Sequence, residues 1–264
     1  MARIFITGST DGLGRAAARS LLDDGHEVVL HARSTERAST LADLASRAAG
    51  VVIGDLRSAA ETRRIAEQVN AIGRMGGVIH NAGIYTEPSR GSTPEGHAGI
   101  LAVNTLAPFM LTALIKRPDR LVYLSSGLHR GGEGSLADLD WTERRWNPAR
   151  AYAESKLHVV ALAFFLARHW PEVLSNVVDP GRCKRSGRHP HGTTHTNLAR
   201  RQHRTRSHGH RPLLASPEAG AAGGRSEYGA HLGSFYLLLC PQPSFESKTA
   251  SASLAPGSAT PVSS

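Results

Sequence analysis

A chain of 264 residues, 40% of them hydrophobic, has apolar material for one large α/β core or two small ones, and one domain is the simpler expectation. Its two cysteines, Cys183 and Cys240, lie far apart and form neither a disulfide framework nor a metal-ligand spacing. The net charge of +9 resides in one place: residues 182–211 hold eight Arg and one Lys without an acid, so it says nothing of a nucleic-acid-binding face on the domain.

The chain opens on Met1-Ala2-Arg3 and runs at once into a short apolar segment and a glycine turn, with no signal-peptide core or cleavage site. A reducing cytoplasm is the expected compartment. The longest apolar stretch, residues 159–167, is far too short to cross the ~30 Å hydrocarbon layer, so no membrane span is expected.

In chain order the pattern predicts strand 2–6, helix 14–22, strand 27–30, helix 35–48, strand 51–53, helix 59–71 and strand 77–79. Helix 99–115, strand 120–125, helix 149–169 and strand 174–178 follow. Strands alternating with helices predict parallel pairing through right-handed crossovers, and these six strands make a doubly wound α/β sheet of the Rossmann kind as a single domain over residues 1–181. Residues 182–264 are basic and then rich in Ser, Ala and Pro, and are expected to be an irregular tail. Within it only residues 234–240, SFYLLLC, are apolar enough to form a strand.

Thr7-Gly8-Ser9-Thr10-Asp11-Gly12-Leu13-Gly14 follows the first predicted strand and opens the first helix. Backbone N–H groups at a helix start attract a diphosphate, and absent side chains let it approach. Arg33 stands at the end of the second strand, where an acid would accept from a ribose 2′-OH; an arginine there suits a 2′-phosphate instead. Arg15 is a candidate for a second positive charge. This points to NADP, with NAD the less favoured cofactor; the alternative for Arg33 is an ordinary solvated loop residue.

Tyr152-Ala153-Glu154-Ser155-Lys156 sets a phenol and an ammonium at i and i+4 on one helix face. A nearby ammonium favours the phenolate and is expected to lower the tyrosine pKa toward neutrality, as general acid/base work requires.

The spacing T-G-x-x-x-G-x-G and the Y-x-x-x-K pair resemble the short-chain dehydrogenase/reductase family. Three further stretches are similar to its motifs: Asp55-Leu56 to the adenine-contacting pair, Asn81-Ala82-Gly83 to the turn beside the cofactor, and Pro180-Gly181 to the turn near the nicotinamide. The resemblance implies Thr7, Gly8, Gly12, Leu13 and Gly14 as cofactor contacts together with these residues, Arg33 and Lys156. It also implies Tyr152 as general acid/base, Lys156 on the nicotinamide ribose, Ser126 on the substrate oxygen and Asn104 in a proton relay. Strand alternation alone does not choose between Ser126 and Ser125. The long interval before Tyr152, with Leu128, His129, Trp141 and Trp146, resembles the retinol-dehydrogenase-like branch and implies a lipophilic carbonyl or alcohol, although aromatic residues in a loop more often serve local packing. In the family, the helix carrying Tyr and Lys often pairs across a two-fold axis; Leu157, Val160, Ala161 and Phe164 would supply either such a homodimer face or a core face.

The resemblance covers residues 2–181 and stops at Arg182-Cys183-Lys184-Arg185-Ser186. Read one base out of register, codons for this stretch can spell Val-Gln-Thr-Lys, which would restore the family's threonine after Pro-Gly. A frameshift, giving a catalytically impaired product, is therefore an alternative. A third reading has the basic segment bind polyanions with steep salt dependence, but it has no aromatic interleaving and no nucleic-acid motif.

Overall fold

The computed structural model describes residues 1–181 except Thr86. The basic segment, the apolar stretch 234–240 and the frameshift reading all lie outside the described residues.

Six strands form one parallel sheet: β1 (Arg3–Ile6), β2 (Glu27–Ala32), β3 (Gly50–Ile53), β4 (Gly77–His80), β5 (Arg120–Leu124) and β6 (Leu174–Val178), in the order β3-β2-β1-β4-β5-β6. The register sets Phe5 beside Val29 on one side and Val78 on the other. Chain direction through the sheet reverses its order between β1 and β4, which opens a crevice at the strand ends.

Helices cover both faces, which explains why the strands are near-continuous apolar runs. Alternate residues supply two cores. Phe5, Val29, Val78, Leu121 and Tyr123 pack toward one face with Ile65, Leu111 and Leu162; Ile6, Val28, Leu30, Ile79 and Val122 pack toward the other with Ala18, Leu21 and Leu44.

Local signals fix the helix starts. Asp11 caps α1 (Gly12–Asp23) by accepting from the Gly12 N–H, Ser58 caps α4 (Ala59–Ile72), and Asn147 caps α7 (Pro148–His169) with Pro148 in its first turn. The helix expected over 35–48 is instead two short ones, α2 (Thr35–Ser39) and α3 (Ala42–Ala45). Ser39 Oγ donates to the Glu36 carbonyl at 2.7 Å and Thr40 Oγ1 to that of Arg37 at 2.8 Å, so adjacent hydroxyls take up carbonyls at the break.

The helix expected over 99–115 is also not uniform. A short α5 (Gly99–Leu101) leads into a π-turn (Ala102–Leu106) and then α6 (Ala107–Leu114). Pro108 accounts for this: it has no N–H to donate four residues back, and its ring crowds the Asn104 carbonyl. The Ala107 N–H bonds the Ala102 carbonyl in the wider ring.

Candidate active site

At the crevice the first and fourth strand ends are tied together. Thr7 Oγ1 accepts from the Asn81 and Ala82 N–H groups at 3.0 Å each, and Asn81 Nδ2 donates to the carbonyls of Thr7 at 2.9 Å and Gly8 at 3.0 Å. This leaves no room at Gly14, where an added Cβ would lie 2.2 Å from the Gly8 oxygen and 2.3 Å from Asn81 Nδ2. Gly12 has open space around it but a φ of +54°, a region that disfavours side chains.

His31, which the sequence reading passed over, adds a second tie. Its Nδ1 accepts from the Gly8 N–H at 2.9 Å and its Nε2 meets the Gly54 carbonyl at the same distance, joining the ends of β1, β2 and β3. Burial depresses its pKa, so the ring is neutral. A buried histidine bonded to two backbones has no periodic signature in a sequence.

Above these ties lies an open cleft of about 1290 Å³. Gly8, Gly12 and Leu13 line its floor, Arg33, Asp55 and Leu56 one end, and Asn81, Ala82, Gly83, Tyr152, Lys156 and Pro180 the other. Thr7 and Gly14 stand behind the floor as its supports, and Gly181 is exposed beside Asp179, whose carboxylate accepts from its N–H. Arg33 is exposed and makes no ion pair among the described residues. Arg15 differs from expectation: its guanidinium pairs with Asp43 at 2.7 Å and donates to the Thr40 carbonyl, so it turns to α3 and away from the cleft. Arg37 lines the cleft in its stead and donates to Thr10 Oγ1 at 3.2 Å. It stands in the first turn of α2, where the Ser34 cap accepts from its N–H.

Ser126 lies beside the Tyr152 phenol, whereas Ser125, which lines the cleft, is buried with its Oγ donating to the Lys156 carbonyl at 3.2 Å. Lys156 reaches through α7 to donate to the Leu124 carbonyl at 2.8 Å, and burial pulls its pKa down to about 8. Its ammonium stands 5.8 Å from the Tyr152 ring centroid. The expected lowering of the phenol is not what the free protein shows: burial raises the Tyr152 pKa, the Ser126 hydroxyl offsets part of this, and Tyr85 and Asp179 raise it further.

Asn104 is buried in the π-turn. Its Oδ1 accepts from the Ile84 N–H at 2.7 Å, and its Nδ2 donates to the Ile84 carbonyl at 2.9 Å and to Ser155 Oγ at 3.0 Å. Gly83 separates it from Lys156: a Cβ there would be 3.3 Å from Asn104 Oδ1 and 3.4 Å from Lys156 Nζ. Tyr85 packs edge-on against Tyr152 with centroids 4.8 Å apart, and it too lines the cleft.

A parallel sheet ordered this way, with a glycine-cradled cleft and a Ser-Tyr-Lys group at one end, defines a nucleotide-dependent oxidoreductase. Residues 2–127 match the family model described as short chain dehydrogenase. The short-chain dehydrogenase chyC of Penicillium rubens is 45% identical over 184 residues, which cover 69% of this chain and 71% of that one. Human retinol dehydrogenase 13 is 30% identical over 208 residues, covering 72% and 62%. A crystal structure of a blue fluorescent protein from a metagenomic library in complex with NADPH superposes with a TM-score of 0.55 at 25% identity, covering 70% of this chain and 79% of that one. The chain belongs to the short-chain dehydrogenase/reductase family, whose members oxidise CH–OH groups or reduce the corresponding carbonyls.

Among the described residues no helix is long and apolar enough to cross a membrane, and no cluster of His, Cys, Asp or Glu suits a metal.

Proposed function

We propose that the chain interconverts a carbonyl and an alcohol with NADP(H), using Tyr152 as the proton donor and acceptor. The observation that carries this reading is the placing of the Tyr152 phenol and buried Lys156 together at the end of the glycine-cradled cleft, with Ser126 beside the phenol. The cleft fits a dinucleotide: the Gly14 position excludes any side chain, and the start of α1 faces the cleft with N–H groups suited to a diphosphate. Asp55 and Leu56 would take the adenine end. Arg33 and Arg37 would hold the 2′-phosphate, which favours NADP over NAD. Bound NADPH supplies a hydride to the carbonyl carbon.

The chain's own groups do the rest. Ser126 and Tyr152 donate hydrogen bonds to the substrate oxygen, and Tyr152 gives up its proton as negative charge develops there. Lys156 would bind the nicotinamide ribose and, drawn off the Leu124 carbonyl, stabilise the phenolate left behind. Asn104 holds the Ile84 backbone and Ser155 in place beside it and would support the relay that restores the proton. The Tyr85 ring and Leu128, both exposed at this end, favour a lipophilic substrate. On α7, Val160, Ala161 and Leu157 are only partly buried and Phe164 is 56% exposed, which supports the homodimer face over the core face. A cytoplasmic location belongs to the same proposal and is tested by cell fractionation.

The deciding experiment follows quenching and oxidation of NADPH against a panel of aldehydes and ketones, with wild type and Tyr152→Phe. Binding by both and turnover by wild type alone supports the assignment. Turnover by both removes Tyr152 from its role, and an absence of binding overturns the cofactor reading.

A further inference from the structure

Residues 133–147 run from the end of a 3-10 turn (Gly127–Gly131) to the cap of α7 without helix or strand, yet the segment is anchored by side chains. Arg144 is central. Its Nη1 and Nη2 donate to the two carboxylate oxygens of Glu154 at 3.0 Å each, and the Glu154 side chain is only 6% exposed. Glu154 lies between Tyr152 and Lys156 on α7. On its other side Arg144 Nε meets the Asp138 carboxylate at 3.3 Å, and its guanidinium covers the Trp141 ring at 3.8 Å from the centroid. Burial pushes the Asp138 carboxyl up, but the Thr142 hydroxyl and the N–H groups of Thr142, Glu143 and Arg144 outweigh this and hold it well below the usual carboxylate range.

Trp141 carries the contact inward. It packs with Ile100 and Ala151, and Ile84 and Trp146 close the same cluster. The Trp146 indole donates to the Glu87 carbonyl at 3.0 Å. Ala151 immediately precedes Tyr152, while Ile84 lines the cleft and is bonded to Asn104. At Gly132 the backbones touch: a Cβ there would lie 2.8 Å from the Ala153 oxygen.

We infer that Arg144 is a positioning residue for the reaction: paired with Glu154 and stacked on Trp141, it locks the 133–147 segment onto α7 and so fixes Tyr152 and the Ile84-Tyr85 wall. This rests on the assignment of Tyr152 above. A bidentate pair between a planar guanidinium and a buried carboxylate sets both distance and orientation, which an apolar pair of similar volume does not.

Arg144→Met alone leaves the buried Glu154 carboxylate with only Arg150 Nε, at 3.5 Å, so the test uses Arg144→Met/Glu154→Met, in which both charges of the bidentate pair are absent and thermal melting verifies folding. With the full-length chain, the double variant is expected to bind NADPH within about twofold of wild type while kcat falls about tenfold and KM for the carbonyl rises. Arg144→Lys, which keeps an ion pair, is expected to recover part of kcat. Hydrogen exchange at residues 84–85 and 151–153 is expected to quicken in the double variant, and it reads the lock even if wild type turns over none of the carbonyls offered, an outcome that would count against the catalytic assignment alone. Wild-type kcat and KM in the folded double variant, or unchanged exchange at 84–85, would overturn the inference.

Discussion

The two ends of the cleft are built differently. At the glycine turn the backbone itself makes the site: Gly8, Gly12 and Gly14 omit side chains, and Thr7 and Asn81 clamp one strand end to another. At the Tyr152 end the backbone between Gly132 and Asn147 is irregular, and long side chains, above all Arg144, Glu154 and Trp141, give it a fixed place. The first arrangement tolerates almost no substitution at a few positions; the second spreads its precision over many contacts. A family that keeps a nicotinamide cofactor and varies its substrates is served by such a division.

The comparison is sharpened first at Tyr152. Replacing it by Phe keeps the ring contact with Tyr85 and removes the proton, so kcat is expected to fall by about 10²–10⁴-fold while NADPH binding, read by fluorescence, stays within about twofold. If binding weakens equally, the two ends are not separate.

At the other end, Arg33→Ala is expected to weaken NADPH by about 10- to 100-fold and leave NADH nearly unchanged in direct titrations, since one charge-assisted hydrogen-bonding group is lost. No loss for either cofactor would assign Arg33 to solvent, and equal losses for both would assign it to a part of the nucleotide that the two share. Gly14→Ala tests the cradle through stability as well as binding: the Cβ meets backbone oxygen, and urea unfolding is expected to show a loss of about 1–3 kcal/mol together with weaker NADPH binding.

A gentler probe is pH. Burial depresses the pKa of His31, brings that of His80 to about 3, and, with Arg144 adding repulsion, brings that of His158 to about 4. Each folded value lies below the unfolded 6.5, so the unfolded chain takes up protons first. Stability from these groups is full above about pH 6.5 and falls below it by about 1.4 kcal/mol per pH unit for each histidine until its folded pKa is reached. Chemical denaturation at stepped pH checks this, and a flat profile between pH 6.5 and 5 would contradict it. The smallest effect is expected at Ser125→Ala, which removes one hydrogen bond to the Lys156 carbonyl, worth about 1 kcal/mol in melting, without touching turnover.

What the sequence reveals follows the same division. Strand and helix order were legible because apolar period and caps are local, as at Ser58 and Asn147, and the glycine turn is a contiguous string. The broken helix at Ser39-Thr40 and the π-turn were not, because hydroxyls and a single proline compete with a periodicity that otherwise reads as continuous. Side-chain ties were the least legible. Thr7 and Asn81 are 74 residues apart, and the Arg144–Glu154 pair spans a turn of irregular chain that no repeat predicts. Tyr152 and Lys156 share a spacing; what Lys156 bonds to in the free protein, the Leu124 carbonyl, depends on a strand 32 residues earlier.

The π-turn at Ala102–Leu106 has one more implication, which concerns helical phase. Each residue of an α-helix advances the side-chain direction by about 100°, and the wide turn accommodates a residue that a regular helix would not. A single deletion there would leave α6 still joined to Gly99–Leu101 and scarcely change the length of the element. It would turn Asn104 out of register with Ile84 and Ser155, so the demand that the site makes on this helix is one of phase.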